Sequence, residues 1–596
     1  MIEKHRESLI ETLKTDKVWD VLVIGGGATG FGVALEAATR GYQTLLLERG
    51  DFAGGTSSRS TKLVHGGVRY LRQGDISLVR TALAERQRML QNAPAVTRKQ
   101  PFIIPVYSRW DKLFYGIGLK VYDLLAGRKN IGHSRILGRT ETRRELQAIR
   151  ETPNKPIQGG ILYYDGQFDD SRMIVAMLNT LFRVDGRAIN YVEVTGLLKN
   201  QGVMSDGNGE AVSSDEKLSS DEAGSNGLMD NDLAGSNDLV GSNDLVGSDG
   251  HERVSGVAVK DPETGHSYTI RSRTVINAAG IFADEVRGLD NPEAEPMIRT
   301  SQGVHLVLDR SFHPGESAIM IPKTEDGRVL FAVPWHDKII LGTTDTPVDH
   351  KDEDPRALPE EIDYLLSYAG KYLKKAPTRA DVRSVYAGLR PLIGKGGKAG
   401  RGKTSSLSRD HTLFADASGL ITITGGKWTT WRHMGEETMN LAEKTLGLKR
   451  KGNTSHQTTT KDLFLDGGML PGEVEKTESF SKEVDGDTKD KSMAKDSIRS
   501  TSSANDHSRV ARDDVPFHTR IPITPNMIKS AVRFEMARTV EDVLARRTRC
   551  LFLDAKSAAE VAGSVAKCLA DELGRDTDWA NDQAESFREL AKTYQL

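Results

Sequence analysis

Cysteine is nearly absent from this chain of 596 residues, which contains only Cys550 and Cys568. The two cysteines form no C-x-x-C motif, so neither a disulfide framework nor an iron–sulfur or zinc site held by thiolates is indicated. We therefore expect no metal site. A reducing, cytoplasmic setting fits this cysteine usage.

Excess charge of one sign and long apolar runs are also missing. The formal net charge is −2, so no global field attracts nucleic acid, and no nucleic-acid partner is expected. No run approaches the ~20 apolar residues that a membrane helix needs. Residues 1–17 are charged throughout and lack the apolar core of a signal peptide. Any contact with a membrane is therefore expected to be peripheral.

Hydrophobic residues are scarce as well, at 37% of the chain, and two polar segments explain part of this. Residues 204–251 are dominated by Asp, Ser, Gly and Asn and repeat Gly-Ser-Asn-Asp-Leu-Val at 235–240 and 241–246. Such a segment cannot bury enough apolar surface to offset its ordering entropy, so it is predicted to be a disordered insert in a β-hairpin. Residues 448–515 are predicted to be a polar linker.

A glycine motif follows the first strongly apolar run of the chain. Val21–Ile24 is short, apolar and β-branched, which predicts a buried parallel strand. Gly25, Gly27 and Gly30 then give the G-x-G-x-x-G spacing. These glycines permit a tight turn, the approach of a pyrophosphate, and close packing of helix on strand.

The residues after the glycines complete a dinucleotide-binding pattern. A helix is predicted from about Ala28 to Arg40, with its N-terminal N–H groups facing the phosphate, and a second strand at Thr44–Leu47. Glu48 ends that strand about twenty residues beyond the glycines, where an acid accepts hydrogen bonds from a ribose. This pattern alone leaves NAD and FAD open.

Four further motifs occur in a fixed order along the chain. They are S-S-x-S-x-K-L-x-H-G-G-x-R-Y at 57–70, N-A-x-G at 277–280, R-x-x-F-x-x-P-W followed by G-T-T-D at 328–345, and G-G-K-x-T-T at 425–430. Together with the glycine motif they resemble the D-amino-acid-oxidase-like flavoproteins, and in particular the respiratory, quinone-reducing FAD-dependent glycerol-3-phosphate dehydrogenases. The resemblance covers nearly the whole chain apart from the two polar segments.

The resemblance implies an α/β fold with a Rossmann-like FAD domain, an interleaved antiparallel-sheet substrate domain and a C-terminal helical domain. The implied FAD-binding parts are 18–105, 157–300 and 401–447, the substrate-domain parts are 106–156 and 301–400, and the helical domain is 516–596.

The resemblance also implies the site residues. Contacts with FAD are expected from Gly25, Gly27, Ala28, Thr29, Gly30, Glu48, Arg49, Thr56, Ser57, Ser58, Lys62, Leu63, His65, Gly66, Ala279, Gly280, Gly426, Lys427, Thr429 and Thr430. Contacts with the substrate are expected from Arg69, Arg390, Arg409 and Lys427, because a phosphate dianion requires cations. The catalytic candidates are His305 as the base, Lys427 as a charge stabiliser, and Arg390.

The implied reaction is oxidation of sn-glycerol 3-phosphate to dihydroxyacetone phosphate, with hydride transfer to FAD and re-oxidation by a quinone. An amine or amino-acid oxidase of the same superfamily and a non-catalytic flavin-binding protein are the alternatives, and oxygen is an alternative acceptor. A cytoplasmic protein peripheral to the inner leaflet is expected, and a homodimer is compatible with the sequence.

Three local patterns outside these motifs also carry predictions. From Trp110 the apolar residues recur at helical spacing among lysines and arginines, which predicts either a helix covering the substrate domain or a basic helix on a membrane surface. Asp169 and Asp170 stand where they would cap the next helix. Near the C-terminus, Thr539 and Asp542 have the spacing of a helix cap, and the arginines and glutamates around them have the spacing of surface ion pairs.

Overall fold

The computed structural model describes residues 6–67, 76–151, 156–200, 252–321, 329–393, 410–448, 460–467 and 514–596. The predicted insert at 204–251 lies entirely outside these residues. Most of the predicted linker lies outside them too.

Helices within the described residues are α1 Arg6–Leu13, α2 Ala28–Thr39, α3 Ile76–Asn92, α4 Arg109–Ala126, α5 Arg139–Glu145, α6 Asp170–Arg183, α7 Ala283–Asp290, α8 Pro359–Tyr372, α9 Trp431–Leu446, α10 Pro525–Glu535, α11 Cys550–Leu553, α12 Ala555–Leu573 and α13 Thr577–Lys592, with a π-helical turn at Asp542–Arg547. Strands are β1 Val18–Trp19, β2 Val21–Ile24, β3 Thr44–Leu47, β4 Leu63–Val64, β5 Thr97–Val106, β6 Arg135–Leu137, β7 Gly159–Phe168, β8 Arg187–Ile189, β9 Glu193–Asn200, β10 Arg253–Lys260, β11 Ser267–Ser272, β12 Val275–Asn277, β13 Ile298–Asp309, β14 Ala318–Ile321, β15 Leu330–Trp335, β16 Lys338–Gly342, β17 Thr346–Val348, β18 Val382–Ile393, β19 His411–Ala415 and β20 Ile421–Gly425.

A six-stranded sheet forms the first layer, in the order β19-β20-β12-β2-β3-β8. Neighbouring strands from β20 to β8 are parallel, and β19 is an antiparallel edge. Every residue of β2 and β3 is buried, as expected for parallel strands covered on both faces. Helix α2 crosses from β2 to β3, so the glycine motif lies at the carboxyl end of the sheet, where such sheets bind ligands.

A ten-stranded sheet forms the second layer, and its strands come from chain segments on either side of the six-stranded sheet. The path is β17-β13-β16-β15-β14-β5-β7-β4, with β18 on β13 and β6 on β7. The interleaved α/β architecture predicted from the sequence is thus confirmed, and so are the β9–β10 and β15–β16 hairpins. The long antiparallel pair β13–β18 matters most for the site because it aligns His305 with Tyr386.

Helix α4 packs on β5, β6 and β7 of the ten-stranded sheet, as the first of its two predictions required, but not through the apolar stripe on which that prediction was based. Gly116, Leu119, Tyr122 and Ala126 form the buried side of the helix. The large apolar side chains that remain exposed on α4 are Trp110, Leu113, Phe114, Ile117, Val121 and Leu124. The reason is that Gly116, Leu119, Tyr122 and Ala126, which recur about one helical turn apart, form the face that packs on the sheet instead.

The C-terminal residues form a helical unit in which α12 packs on α13 and α10, and its core continues into Val307, Trp335, Ile340 and Tyr386 of the ten-stranded sheet. The predicted caps are present: Asp169 accepts from the N–H of Arg172, and Thr539 Oγ1 accepts from the N–H of Asp542. The arginines after that cap are not surface residues, because Arg546 and Arg547 are only 5% and 1% exposed and pair with a distant acid. Among the described residues no helix has both the length and the apolar character required to cross a bilayer.

Candidate active site

A cavity of about 790 Å³ opens at the carboxyl end of the six-stranded sheet. Its size is that of a typical cofactor or ligand pocket. The residues predicted from the sequence that line it are Gly25, Gly27, Ala28, Thr29, Glu48, Arg49, Thr56, Ser57, Ala279, Gly280, Gly426 and Lys427. The tertiary fold therefore brings four separate motifs to one wall.

The glycines act by allowing backbone segments to touch. A Cβ on Gly30 would lie 1.9 Å from the carbonyl oxygen of Gly25, so α2 can approach the turn only without a side chain there. Gly25 has φ +112°, and its Cβ would lie 2.6 Å from the carbonyl oxygen of Ala278. Gly27 precedes α2 and provides no side-chain cap, and the N–H of Ala28 donates to Ser57 Oγ, so an anion at the helix start would meet the N–H groups that follow Ala28.

The acid at the end of β3 stands beside this turn. Glu48 accepts from the N–H groups of Gly26 at 2.6 Å and Gly50 at 2.9 Å. Burial raises the pKa of Glu48, and the two N–H donors oppose that shift. Arg49 lies over the ring of Phe282 at 3.9 Å and pairs with Glu353 at 2.6 Å. The donor set fits FAD, since an open helix start suits its pyrophosphate and a carboxylate suits its ribose.

In the segment after Ser57 and in the G-G-K-x-T-T turn, some of the residues predicted to bind the flavin lie outside the residues that line the cavity. Ser58, Lys62, Leu63, His65, Gly66, Thr429 and Thr430 were predicted to contact the flavin, but they are not among the residues lining the cavity. Lys62 is fully buried, and its Nζ donates to Asp170 at 2.7 Å. The N–H of His65 donates to Thr429 Oγ1 at 3.3 Å, which ties this segment to the G-G-K-x-T-T turn. Direct flavin contacts of these residues stay predictions.

His305 lies on β13, 2% exposed, and is held on two sides. Its ring stacks on Tyr386 at 4.8 Å, and its Nε2 is 2.9 Å from Thr61 Oγ1. Its Nδ1 has no hydrogen-bond partner in the described part of the chain. Burial, together with the charges of Arg390 and Lys62, holds the pKa of His305 well below its usual value, so the ring is neutral near pH 7.

Arg390 lies on the neighbouring strand β18, opposite Ser301. Its Nη2 donates to Thr343 Oγ1 at 3.3 Å and to the carbonyl of Thr344 at 3.2 Å, and Asp345 is 3.6 Å from Nη1. The next residue, Pro391, lines the cavity. Arg69 and Arg409, the other predicted substrate arginines, lie outside the described residues.

The turn that carries Lys427 is held by an ionised histidine. His411 Nε2 is 2.7 Å from Glu437 Oε2. The Cβ atom of His411 lies so close to Gly426 that a side chain on Gly426 would come within 3.1 Å of it. Burial opposes the positive charge, but Asp410 and Glu437 outweigh it and raise the pKa of His411 to about 9. The charged imidazole thus links β19 to Glu437 in the second turn of α9, beside the turn that carries Lys427.

This pair predicts a loss of stability in alkali. A histidine with a raised pKa contributes fully below its ordinary value of 6.5, and the contribution is lost as the pH rises through about 9. We expect the free energy of unfolding to fall by about 3 kcal/mol across this window. Denaturant unfolding of the wild type and of His411→Gln at several pH values measures it. Equal pH dependence of the two proteins would contradict the assignment.

Several residues of the cavity carry no local sequence signal. Tyr191, Glu193 and Thr195 line it from the loop after β8 and from β9, while Glu353 and Asp354 reach it from a loop of the second sheet. Glu541, Arg546 and Leu590 reach it from the C-terminal region. The arginines at 546–547 were interpreted from their spacing as members of surface ion pairs, not as residues of a binding site.

Most of the chain matches known protein families. Residues 20–218 and 244–432 match the family described as FAD dependent oxidoreductase, and residues 495–580 match the C-terminal domain of alpha-glycerophosphate oxidase. The gap between the first two ranges falls inside the insert predicted from composition.

Curated relatives and solved structures agree with this match. The chain is 34% identical to mitochondrial glycerol-3-phosphate dehydrogenase of Bos taurus and of Homo sapiens, over 99% and 98% of this chain and 75% of each relative. The structure of glycerol-3-phosphate dehydrogenase from Bacillus halodurans complexed with FAD superposes with a TM-score of 0.67 and 25% identity, covering 99% of this chain and 97% of that one. L-alpha-glycerophosphate oxidase from Mycoplasma pneumoniae shares the fold, with a TM-score of 0.51 at 15% identity over 73% of this chain and 97% of that one.

Proposed function

Because the chain belongs to the FAD-dependent glycerol-3-phosphate dehydrogenase family, we propose that it oxidises sn-glycerol 3-phosphate to dihydroxyacetone phosphate and that a quinone takes the electrons. The observation that supports the substrate is that the antiparallel pair β13–β18 carries both candidates, His305 opposite Tyr386 and Arg390 opposite Ser301, and that Pro391, the residue after Arg390, lines the cavity. A phosphorylated alcohol needs both groups, a base for its hydroxyl and a cation for its phosphate.

FAD, when bound, supplies an isoalloxazine ring that accepts a hydride. The chain supplies the remaining chemistry. Arg390 grips the phosphate with its guanidinium group, and His305 accepts the hydroxyl proton at Nδ1, which is not otherwise engaged by the described residues. Lys427, which lines the cavity, stabilises negative charge there. Arg69 and Arg409 add further phosphate contacts in this proposal.

Anaerobic titration of the purified protein with glycerol 3-phosphate tests the substrate. We expect the visible flavin absorbance to bleach with glycerol 3-phosphate and to persist with glycine or D-alanine. Bleaching by the amino acids alone would favour the amine-oxidase alternative, and no bleaching by any of them would favour a non-catalytic flavoprotein.

The acceptor is tested in the second half of the same experiment. Addition of a soluble quinone to the reduced protein is expected to restore the absorbance faster than air-saturated buffer does. The match of residues 495–580 to the C-terminal domain of an oxidase makes oxygen the second candidate acceptor. Faster return of colour in air would support that candidate.

The exposed side of α4 supports peripheral binding to the inner leaflet from the cytoplasm. Trp110 and Leu124 are 80% and 79% exposed at opposite ends of the helix, and Phe114 and Ile117 lie between them. An amphipathic helix with aromatic and aliphatic residues on one face and lysines around it lies in the interfacial plane of a bilayer. The quinone acceptor dissolves in that same phase.

Replacement of Trp110 and Phe114 by Glu is expected to lower the partition coefficient onto vesicles containing anionic lipid by tenfold or more, since each side chain loses ~1.5–3 kcal/mol of apolar burial. Co-sedimentation with the vesicles measures the effect. Val515→Glu is the control, because Val515 is 67% exposed but lies far along the chain from α4. Equal binding of all variants would show that α4 does not contact lipid.

A further inference from the structure

A buried carboxylate connects the C-terminal helical region to the cavity wall. Asp51 follows β3 and is 3% exposed. Its Oδ2 lies 2.5 Å from Arg546 Nε and 2.7 Å from Arg547 Nη1, and its Oδ1 lies 2.7 Å from Arg547 Nη2. One acid near the start of the chain thus binds two adjacent arginines almost five hundred residues later.

The loop that begins at Asp51 reaches the phosphate end of the site. The N–H of Gly54 donates to the carbonyl of Asp51 and the N–H of Ala53 donates to the carbonyl of Gly26, both at 3.0 Å. Ser57 Oγ then accepts from the N–H of Ala28, the first residue of α2, at 3.0 Å. The position of Asp51 is therefore transmitted through one short loop to the helix start that faces the pyrophosphate.

The C-terminal region also forms part of the cavity wall itself. Glu541, Arg546 and Leu590 line the cavity together with the glycine motif. Arg546 is fixed by Asp542 at 2.7 Å, and Asp542 in turn accepts from the hydroxyl of Tyr191, another lining residue, at 2.7 Å. The contact between the two regions is thus continuous around this end of the site.

We propose that the C-terminal helical region is a component of the FAD site, in which Arg546 and Arg547 hold Asp51 and so position the 51–57 loop against the start of α2. The three residues are positioning residues for the loop; Asp51 and Arg546 also line the cavity, whereas Arg547 acts on the cofactor only through its contact with Asp51. This role concerns retention of FAD and does not depend on which substrate or acceptor the protein uses.

The electrostatics agree with this role. Burial raises the pKa of Asp51, but Arg547 and Arg546 outweigh it and lower the pKa below its ordinary value. The carboxylate is therefore charged at neutral pH and requires both partners, because a buried charge without a partner is strongly unfavourable. Asn at this position keeps the shape and removes the charge, so the two arginines would lose their common partner.

The test is release of FAD from the full-length holoenzyme after dilution, followed by flavin fluorescence. Asp51→Asn is expected to raise the dissociation constant for FAD by about tenfold, or ~1.4 kcal/mol. The control is Glu263→Gln, which weakens the ion pairs of Glu263 with Arg538 and Arg575, contacts that dock the same C-terminal region but do not involve Asp51, Arg546 or Arg547. Thermal melting of each apo-protein measures the general loss of stability.

The proposal is supported if Asp51→Asn releases FAD faster than Glu263→Gln at a similar loss of melting temperature. It is overturned if both variants release FAD equally fast, which would indicate general docking, or if neither differs from the wild type. If Asp51→Asn does not fold, Arg547→Lys replaces it. Lysine keeps the charge and loses the two-point contact, so faster release supports the role and unchanged release overturns it.

Discussion

Arg390→Ala is expected to lower kcat/KM for glycerol 3-phosphate by about a thousandfold, since loss of a buried charged contact removes 2–5 kcal/mol. The flavin content should stay at the wild-type level, because Arg390 does not line the cofactor cavity. Steady-state kinetics and the visible absorbance of the same preparation measure the two quantities. Arg390→Lys should recover only part of the loss, because the ammonium group cannot make the planar two-point contact.

The supporting network explains why this arginine is held ready for an anion. Glu361, 4% exposed on α8, accepts from Thr344 Oγ1 at 2.7 Å and from Thr346 Oγ1 at 2.6 Å. The carbonyl of Thr344 in turn accepts from Arg390. The guanidinium group is therefore oriented by a segment that is itself fixed, so little conformational entropy is lost when the phosphate binds.

Arg383→Ala is the matched control for Arg390. Arg383 lies on the same strand, β18, and pairs with Asp309 at the protein surface. Because surface pairs contribute ~0–1 kcal/mol, its loss should leave kcat/KM at the wild-type level. A fall in flavin content with Arg390→Ala, or an equal kinetic effect of the two substitutions, would show that Arg390 does not bind the substrate phosphate.

His305→Gln is expected to lower kcat by about a hundredfold to a thousandfold with little change in KM, since glutamine can hydrogen bond but cannot take a proton. The acid side of the pH profile should also change. In the wild type, the depressed pKa keeps the histidine neutral through pH 7, so activity should persist below pH 6.5 and fall only in stronger acid. His305→Gln should lose that acid limb.

The same depressed pKa has a consequence for stability. His305 takes up a proton near pH 6.5 in the unfolded chain but only at lower pH in the folded chain. The contribution of His305 to the free energy of unfolding is therefore complete above pH 6.5 and is lost as the pH falls. His313→Gln is the matched control, because His313 is also buried with a lowered pKa, but its Nε2–H donates to the carbonyl of Ser317 outside the site. Unchanged kcat in His305→Gln would rule out the histidine as the base.

Short-range patterns predicted the parts of the molecule that local chemistry controls. The apolar β-branched run at Val21–Ile24, the glycine spacing after it and the caps at Asp169 and Thr539 each act within a few residues, and each is present in the structure as predicted. The surroundings of His305 and Arg390 could not be predicted in this way. Their relative position depends on the register of β13 and β18, two strands more than seventy residues apart in the chain.

The sequence thus sufficed for the order of the elements and the residues around the glycine turn, since glycine sterics, apolar periodicity and capping are local properties. The choice of FAD over NAD came from the resemblance of several spaced motifs to a known family. The fold alone revealed that the apolar stripe of α4 faces outward and that Arg546 and Arg547 are buried against Asp51. Both facts depend on which surfaces meet after the chain has packed. A helical period or a pair of arginines is the same in the sequence whether its partner is solvent, lipid or an acid almost five hundred residues away.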